Sequence, residues 1–123
     1  MICYTFIRQD IDLHHQIVQA SHSAYEAGSR YKDFEESTYL ICLGMKNLDY
    51  LHKAENMLIQ NNIKYHKFYE PDNDIGYSSI TTEPLDMVQK KLFKKFRLWT
   101  PKVKNHKYIS SKDSKNPKEL LCS

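Results

Sequence analysis

Residues 2–24, ICYTFIRQDIDLHHQIVQASHSA, pass from a strand pattern directly into a helix pattern. Residues 2–7 are rich in β-branched and aromatic side chains and apolar on both faces, as a central strand is. Asp10 or Asp12 can then cap a helix running to about residue 31. Between the two elements stand Arg8 and Asp10, at the C-terminal end of the strand. Loops leaving strand ends frame the ligand crevice of open α/β folds. The first wall of any active site is expected there.

The rest of the chain repeats the alternation. A second buried strand is expected over 38–43 (TYLICL), stopped by Gly44, and a helix over 48–60 capped by Asn47. Residues 63–69 alternate as a third strand. Glu70-Pro71-Asp72-Asn73-Asp74-Ile75-Gly76 reads as an acidic turn, and 78–82 (SSITT) as a short fourth strand. Pro84 then precedes a last helix over 85–98, with Leu85, Val88, Leu92, Phe96 and Trp99 as its apolar face. On the first helix, Leu13, Ile17, Ala20, Ala24, Ala27 or Gly28, and Tyr31 form the stripe expected to face the sheet. The order β-α-β-α-β-β-α implies an α/β fold: a mixed sheet of about four strands with helices on its faces. Residues 1–99 form one domain in this reading, and 100–123 a basic, flexible tail.

Composition narrows the function classes. With 41% hydrophobic and 27% charged residues the chain is ordinary for a globular domain. No apolar run approaches the roughly 20 residues that cross a bilayer, and the opening residues read as a strand rather than a leader. Three scattered cysteines, Cys3, Cys42 and Cys122, make neither a disulfide framework nor C-x-x-C metal spacing. A reducing, cytoplasmic setting is expected. Charge is lopsided: residues 1–84 carry 7 basic and 12 acidic groups (net −5), whereas 85–123 carry 11 and 3 (net +8). That pattern fits either a solubilising tail or an end that meets a polyanion such as RNA. Lys91, Lys94 and Lys95 would hold phosphates, with Phe96, Trp99, Tyr108 or Tyr77 available for stacking.

Catalytic motifs are few. His14 and His15 point about 100° apart on a helix, and no third or fourth ligand is evident, so no metal is expected. There is no G-x-S-x-G elbow and no glycine-rich phosphate loop. Two acidic clusters remain, Asp10 with Asp12 and Glu70 with Asp72 and Asp74, each just after an expected strand. Facing one another across a crevice they would suit general acid–base work; capping and turn formation account for the same residues.

Arg8-Gln9-Asp10 followed by Gln19-Ala20-Ser21-His22-Ser23-Ala24 resembles the opening of the type-II peptidyl-tRNA hydrolases, over roughly residues 1–99. In that family a strand ends in an R-x-D-like triplet, and a lysine-bearing loop leads to a helix with A-A-Q-x-S-H-A-A. The later pattern also fits: strand, helix, strand with an acidic turn, Thr-bearing strand, Pro. His15 stands where the family has its loop lysine, and the 70–76 turn replaces D-A-G-x-T. The resemblance implies a cofactor-free hydrolase that cleaves the ester joining a peptide to the 3′ ribose of tRNA, working as a homodimer. It implies catalytic roles for Asp10, His15, Asp72 and Thr81, and substrate contacts from Gln19, Ser21 and His22. His22 has a second reading, as a packing residue of the helix. The rival function is a non-catalytic protein that binds tRNA or another RNA on the same fold.

Overall fold

Ile2, Tyr4 and Phe6 alternate with Cys3, Thr5 and Ile7, so the first strand presents two faces of different character. The computed structural model describes residues 1–31 and 38–101. It shows strand β1 (Ile2–Arg8), helix α1 (Leu13–Arg30), β2 (Tyr39–Met45), α2 (Leu48–Gln60), β3 (Tyr65–Glu70) and β4 (Gly76–Thr82). The strands form one mixed sheet in the order β2-β1-β4-β3, with β1 parallel to β2 and the other pairs antiparallel. The expected α/β fold is therefore present, and β1 is a central strand. No helix among the described residues is long and apolar enough to cross a membrane.

One face of the sheet carries the hydrophobic core. Ile2, Tyr4 and Phe6 of β1, Leu43 and Met45 of β2 and Ile80 of β4 are buried beneath Leu51, Ala54 and Leu58 of α2. Asn47 caps α2 by accepting the Tyr50 N–H at 3.1 Å. At the other end Asn62 takes a left-handed φ of 56°, which asparagine tolerates better than most residues. α2 is also tied to β3: the Glu55 carboxylate accepts the Tyr65 hydroxyl at 2.5 Å and the Lys67 ammonium at 2.9 Å.

That tether has a pH signature. Burial raises the Glu55 carboxyl, but the bonds from Tyr65 and Lys67 outweigh it, leaving it below its ordinary 4.5. Burial, then the Glu55 bond, pushes Tyr65 up from 10.0 to about 12. A depressed carboxyl stabilises the fold above about pH 4.5, and that contribution is lost as pH falls through the folded value. A raised phenol stabilises below pH 10, and its contribution is lost between there and about 12. Tyr65→Phe is expected to cost about 1–2 kcal/mol at neutral pH. Its gap to wild type in denaturant titrations is expected to narrow toward both extremes; a gap independent of pH would count against the tether.

The opposite face is polar, and this alters how α1 docks. Gln16, Gln19, Ser23 and Ala27 are its buried residues, while Leu13 and Ile17, expected to point inward, are 45% and 56% exposed. The reason lies in β1 and β4, which offer the hydroxyls of Thr5, Ser79 and Thr81 on this face beside the buried Ile7. Thr81 Oγ1 lies 2.8 Å from both Thr5 Oγ1 and Ser23 Oγ, and Ser79 Oγ donates to the Gln19 carbonyl at 2.9 Å. A helix can bury polar residues where each finds a partner.

Two further expectations are corrected. β2 is an edge strand, with Tyr39 77% and Leu40 58% exposed, since β1 has its second neighbour in β4. Residues 85–98 do not form a helix; only Gln89–Phe93 makes a short 3₁₀ turn. Both ends of the segment are drawn into the sheet. Leu85 exchanges two backbone hydrogen bonds with Ile2, and Leu98 bridges Leu43 on the open edge of β2. Chain pinned at both ends by strand pairing has no room for a continuous helix. The strap covers an edge otherwise free to pair with another chain. The tail reading for 100–123 falls, from residue 102 onward, outside the described residues.

Candidate functional site

Antiparallel pairing brings the C-terminal ends of β1 and β3 and the start of β4 to one edge of the sheet. The parallel partner β2 ends there too. Arg8, the last residue of β1, organises this edge. Its Nε and Nη2 hold Asp10 Oδ1 and Oδ2, each at 2.9 Å, and its Nη1 donates to the carbonyls of Ile75 (2.7 Å) and Tyr77 (3.0 Å). The exit of β1 and the acidic bend after β3 thus share one guanidinium. The fork geometry of arginine permits this, whereas a lysine point charge would not.

The bend is held from its other side by Glu70. Its carboxylate accepts the Asp72 N–H at 3.1 Å and the Gln19 amide at 3.0 Å. These bonds, the Asp72 one foremost, keep Glu70 below its ordinary 4.5. Asn73 and Asp74 both adopt left-handed backbone (φ 57° and 54°), so the chain reverses within a single 3₁₀ turn over Asp72–Asp74. Asp72 itself is exposed on the crest of this turn.

The expected site residues fare differently. Asp10 and Asp72 do lie on the same edge, linked through Arg8 and the bend. Both oxygens of Asp10, however, are committed to Arg8, which neutralises the carboxylate. Half-buried His15 sits on the first turn of α1 with Nδ1 3.6 Å from Asp12 Oδ2. Thr81 is not at the edge. It is 2% exposed, inside the hydroxyl cluster between α1 and the sheet, because β4 points its side chain inward at that register. Gln19 is also buried, 2% exposed, and bonds to Glu70. It supports the site without facing solvent.

Ser21 is exposed on α1. His22 stacks on Phe68 with ring centroids 4.1 Å apart, and its Nε2 lies 3.1 Å from Glu26 Oε2. Glu26 Oε1 in turn meets His66 Nε2 at 2.6 Å. This is the packing role, a tether between α1 and β3. Lys91 and Lys94 are exposed on the strap. Lys95 instead joins Lys46, Lys53 and Arg97 around a cavity just past the end of β2. Sequence reasoning passed over Lys46 and Lys53, although Lys46 directly follows a strand end, where loops frame ligand sites.

Among the described residues no group of three or more His, Cys, Asp or Glu is placed to hold a metal ion. Burial pushes the Cys42 thiol up to about 11 and raises Cys3 as well, which makes both poor nucleophiles at neutral pH. The chemistry on offer at this end of the sheet is the exposed carboxylate of Asp72, the imidazole of His15 and, at the end of β2, a group of cations. No family model and no curated protein matches the chain.

Proposed function

We propose that the chain is a peptidyl-tRNA hydrolase-like protein. It takes the acceptor end of a tRNA at the C-terminal edge of the sheet and cleaves the ester between the peptide and the 3′ ribose. The observation that carries this reading is the Arg8 guanidinium, which ties the exit of β1 to the acidic bend and makes one crevice edge of two distant segments. The R-x-D triplet and Q-x-S-H segment agree with it, as does the cationic cavity along the same edge. The scattered cysteines suit a cytoplasmic setting, and the resemblance brings with it a homodimer.

In this mechanism Asp72, exposed on the turn and held by its backbone N–H to Glu70 with its carboxyl beside the same carboxylate, orients a water and takes its proton as the water attacks the ester carbonyl. The first-turn amides of α1, which receive no side-chain cap from Asp12, face the developing oxyanion. His15 on the same turn passes a proton to the departing 3′ oxygen. Arg8, Asp10, Gln19 and Glu70 are positioning residues. Thr81 belongs to the framework.

The second reading, a non-catalytic RNA-binding protein on this fold, draws on two observations: the neutralised Asp10 and the buried Thr81. The two readings part in one assay, release of peptide from N-blocked aminoacyl-tRNA by the full chain. Catalytic turnover is the expected result. Salt-sensitive tRNA binding without release would select the second reading, and neither binding nor release would end both.

A further inference from the structure

The cavity past the end of β2 has a volume of about 660 Å³, within the range of small-ligand sites. Four separate segments wall it, with Gln9 just past β1 the first. Gly44, Met45 and Lys46 close the end of β2, Tyr50 and Lys53 come from α2, and Lys95, Phe96 and Arg97 from the strap. Among the described lining residues four are cations and none is a carboxylate; Asp49, on the first turn of α2, does not line it. Such a concentration of positive charge in a concave, half-open site attracts an anion with more than one charge.

Two details argue for an organic anion with a flat group. Tyr50 is 45% exposed, and its place in the first turn of α2 is fixed by the Asn47 bond to its backbone. Its ring already carries a cation, with Lys53 Nζ 5.1 Å from the centroid. An exposed aromatic flanked by lysines is the arrangement that stacks a base while cations track its phosphates.

We propose that this cavity binds a nucleotide through consecutive phosphates and a stacked base: Tyr50 takes the base, and Lys46, Lys53, Lys95 and Arg97 hold the phosphates. The inference rests on the proposed reading for the source of the nucleotide, the unpaired end of an RNA strand. For the chemistry it rests on the cavity alone. A free nucleoside triphosphate offers the same groups, and the experiment separates the two sources.

Gln9 shapes the rim. Its Nε2 donates to the Thr100 carbonyl at 2.9 Å, and its side chain lies over Gly44, where an added Cβ would stand 2.1 Å from Gln9 Oε1. A side chain at 44 must therefore displace the Gln9 side chain from the rim.

The test is calorimetric titration of the full chain with a single-stranded RNA trinucleotide, with ATP and with inorganic phosphate, at several salt concentrations. Lys46→Gln and Arg97→Gln remove exposed charges and leave the core intact, which thermal melts verify. Each is expected to weaken nucleotide binding about tenfold, the effect of one charge-assisted contact. Each is also expected to flatten the salt dependence of trinucleotide binding by about 0.7 in log–log slope. Tyr50→Ala is expected to weaken binding about tenfold, and Tyr50→Phe to restore it. Tighter binding of the trinucleotide than of ATP identifies an RNA strand as the source; the reverse order identifies a free nucleotide and leaves the site assignment standing. No binding of either, inorganic phosphate bound as tightly as both, or affinities that the Lys46 and Arg97 changes leave unmoved would overturn the proposal. None of these ligands carries the carboxylic ester of a peptidyl-tRNA, so the outcome is independent of whether peptide release occurs.

Discussion

For Asp72→Asn, peptide release from N-blocked aminoacyl-tRNA is expected to fall about 10²–10⁴-fold, the usual contribution of a general base. That corresponds to about 3–5 kcal/mol of transition-state stabilisation. The substitution suits the purpose because the framework bonds of this residue are made by its backbone, and an asparagine amide at 72 can still donate to the neighbouring Glu70 carboxylate. The Asp72 N–H donates to Glu70 and its carbonyl accepts the Ile75 N–H, and neither contact involves the carboxylate. Stability should therefore stay within about 0.5 kcal/mol of wild type, so a loss of rate reports on chemistry. His15→Ala is expected to act in the same direction. Wild-type rates in both variants would remove the catalytic assignment while leaving the fold untouched.

Phe93→Ala is expected to lower the unfolding free energy by about 3–5 kcal/mol, among the largest losses any single truncation in this chain should produce. Phe93 is 3% exposed and stacks on Tyr4, with centroids 3.8 Å apart and planes within 5°; it also meets Phe6 and Phe96 at 6.0 and 6.4 Å. Its ring is part of the same core cluster as Leu51, Ala54 and Leu58 of α2. Val88 provides the contrast, since it is 75% exposed and Val88→Ala should change little. A continuous helix over 85–98 would reverse the pair, because its apolar face contains Val88 and omits Phe93. Denaturant melts of the two variants thus decide between strap and helix.

That reversal shows where sequence reasoning ends for this chain. Leu85, Leu92 and Phe96 recur at helical spacing, and periodicity cannot register that Leu85 pairs with Ile2 and Leu98 with Leu43, contacts more than fifty residues away in sequence. The same limit hid the docking of α1. Burial of Gln19 and Ser23 follows from hydroxyls at Ser79 and Thr81, which face the helix only because of the register Thr5↔Thr81. β1, α2 and its Asn47 cap, and the alternation of Tyr65 and Lys67 against His66 and Phe68 were legible, because each depends on local pattern alone. The shared edge was legible in outline: strand ends followed by Arg8, Asp10 and the acidic turn mark it. Its wiring was not, since the link runs from a side chain on β1 to carbonyls at 75 and 77. The cation cluster drew on three segments, and only Lys95 of its members had been singled out.

The proposed function requires that RNA be received at the single polar edge organised by Arg8. Backbone amide shifts recorded while a tRNA acceptor-stem minihelix is titrated into the isotope-labelled full chain test this most directly. The account predicts saturable shifts gathered at the end of β1 with the start of α1, at the Asp72–Asp74 turn, and around Lys46 and Arg97. Shifts confined to the exposed residues of α1 and the Tyr39–Leu40 end of β2, with the Arg8 edge silent, would contradict it.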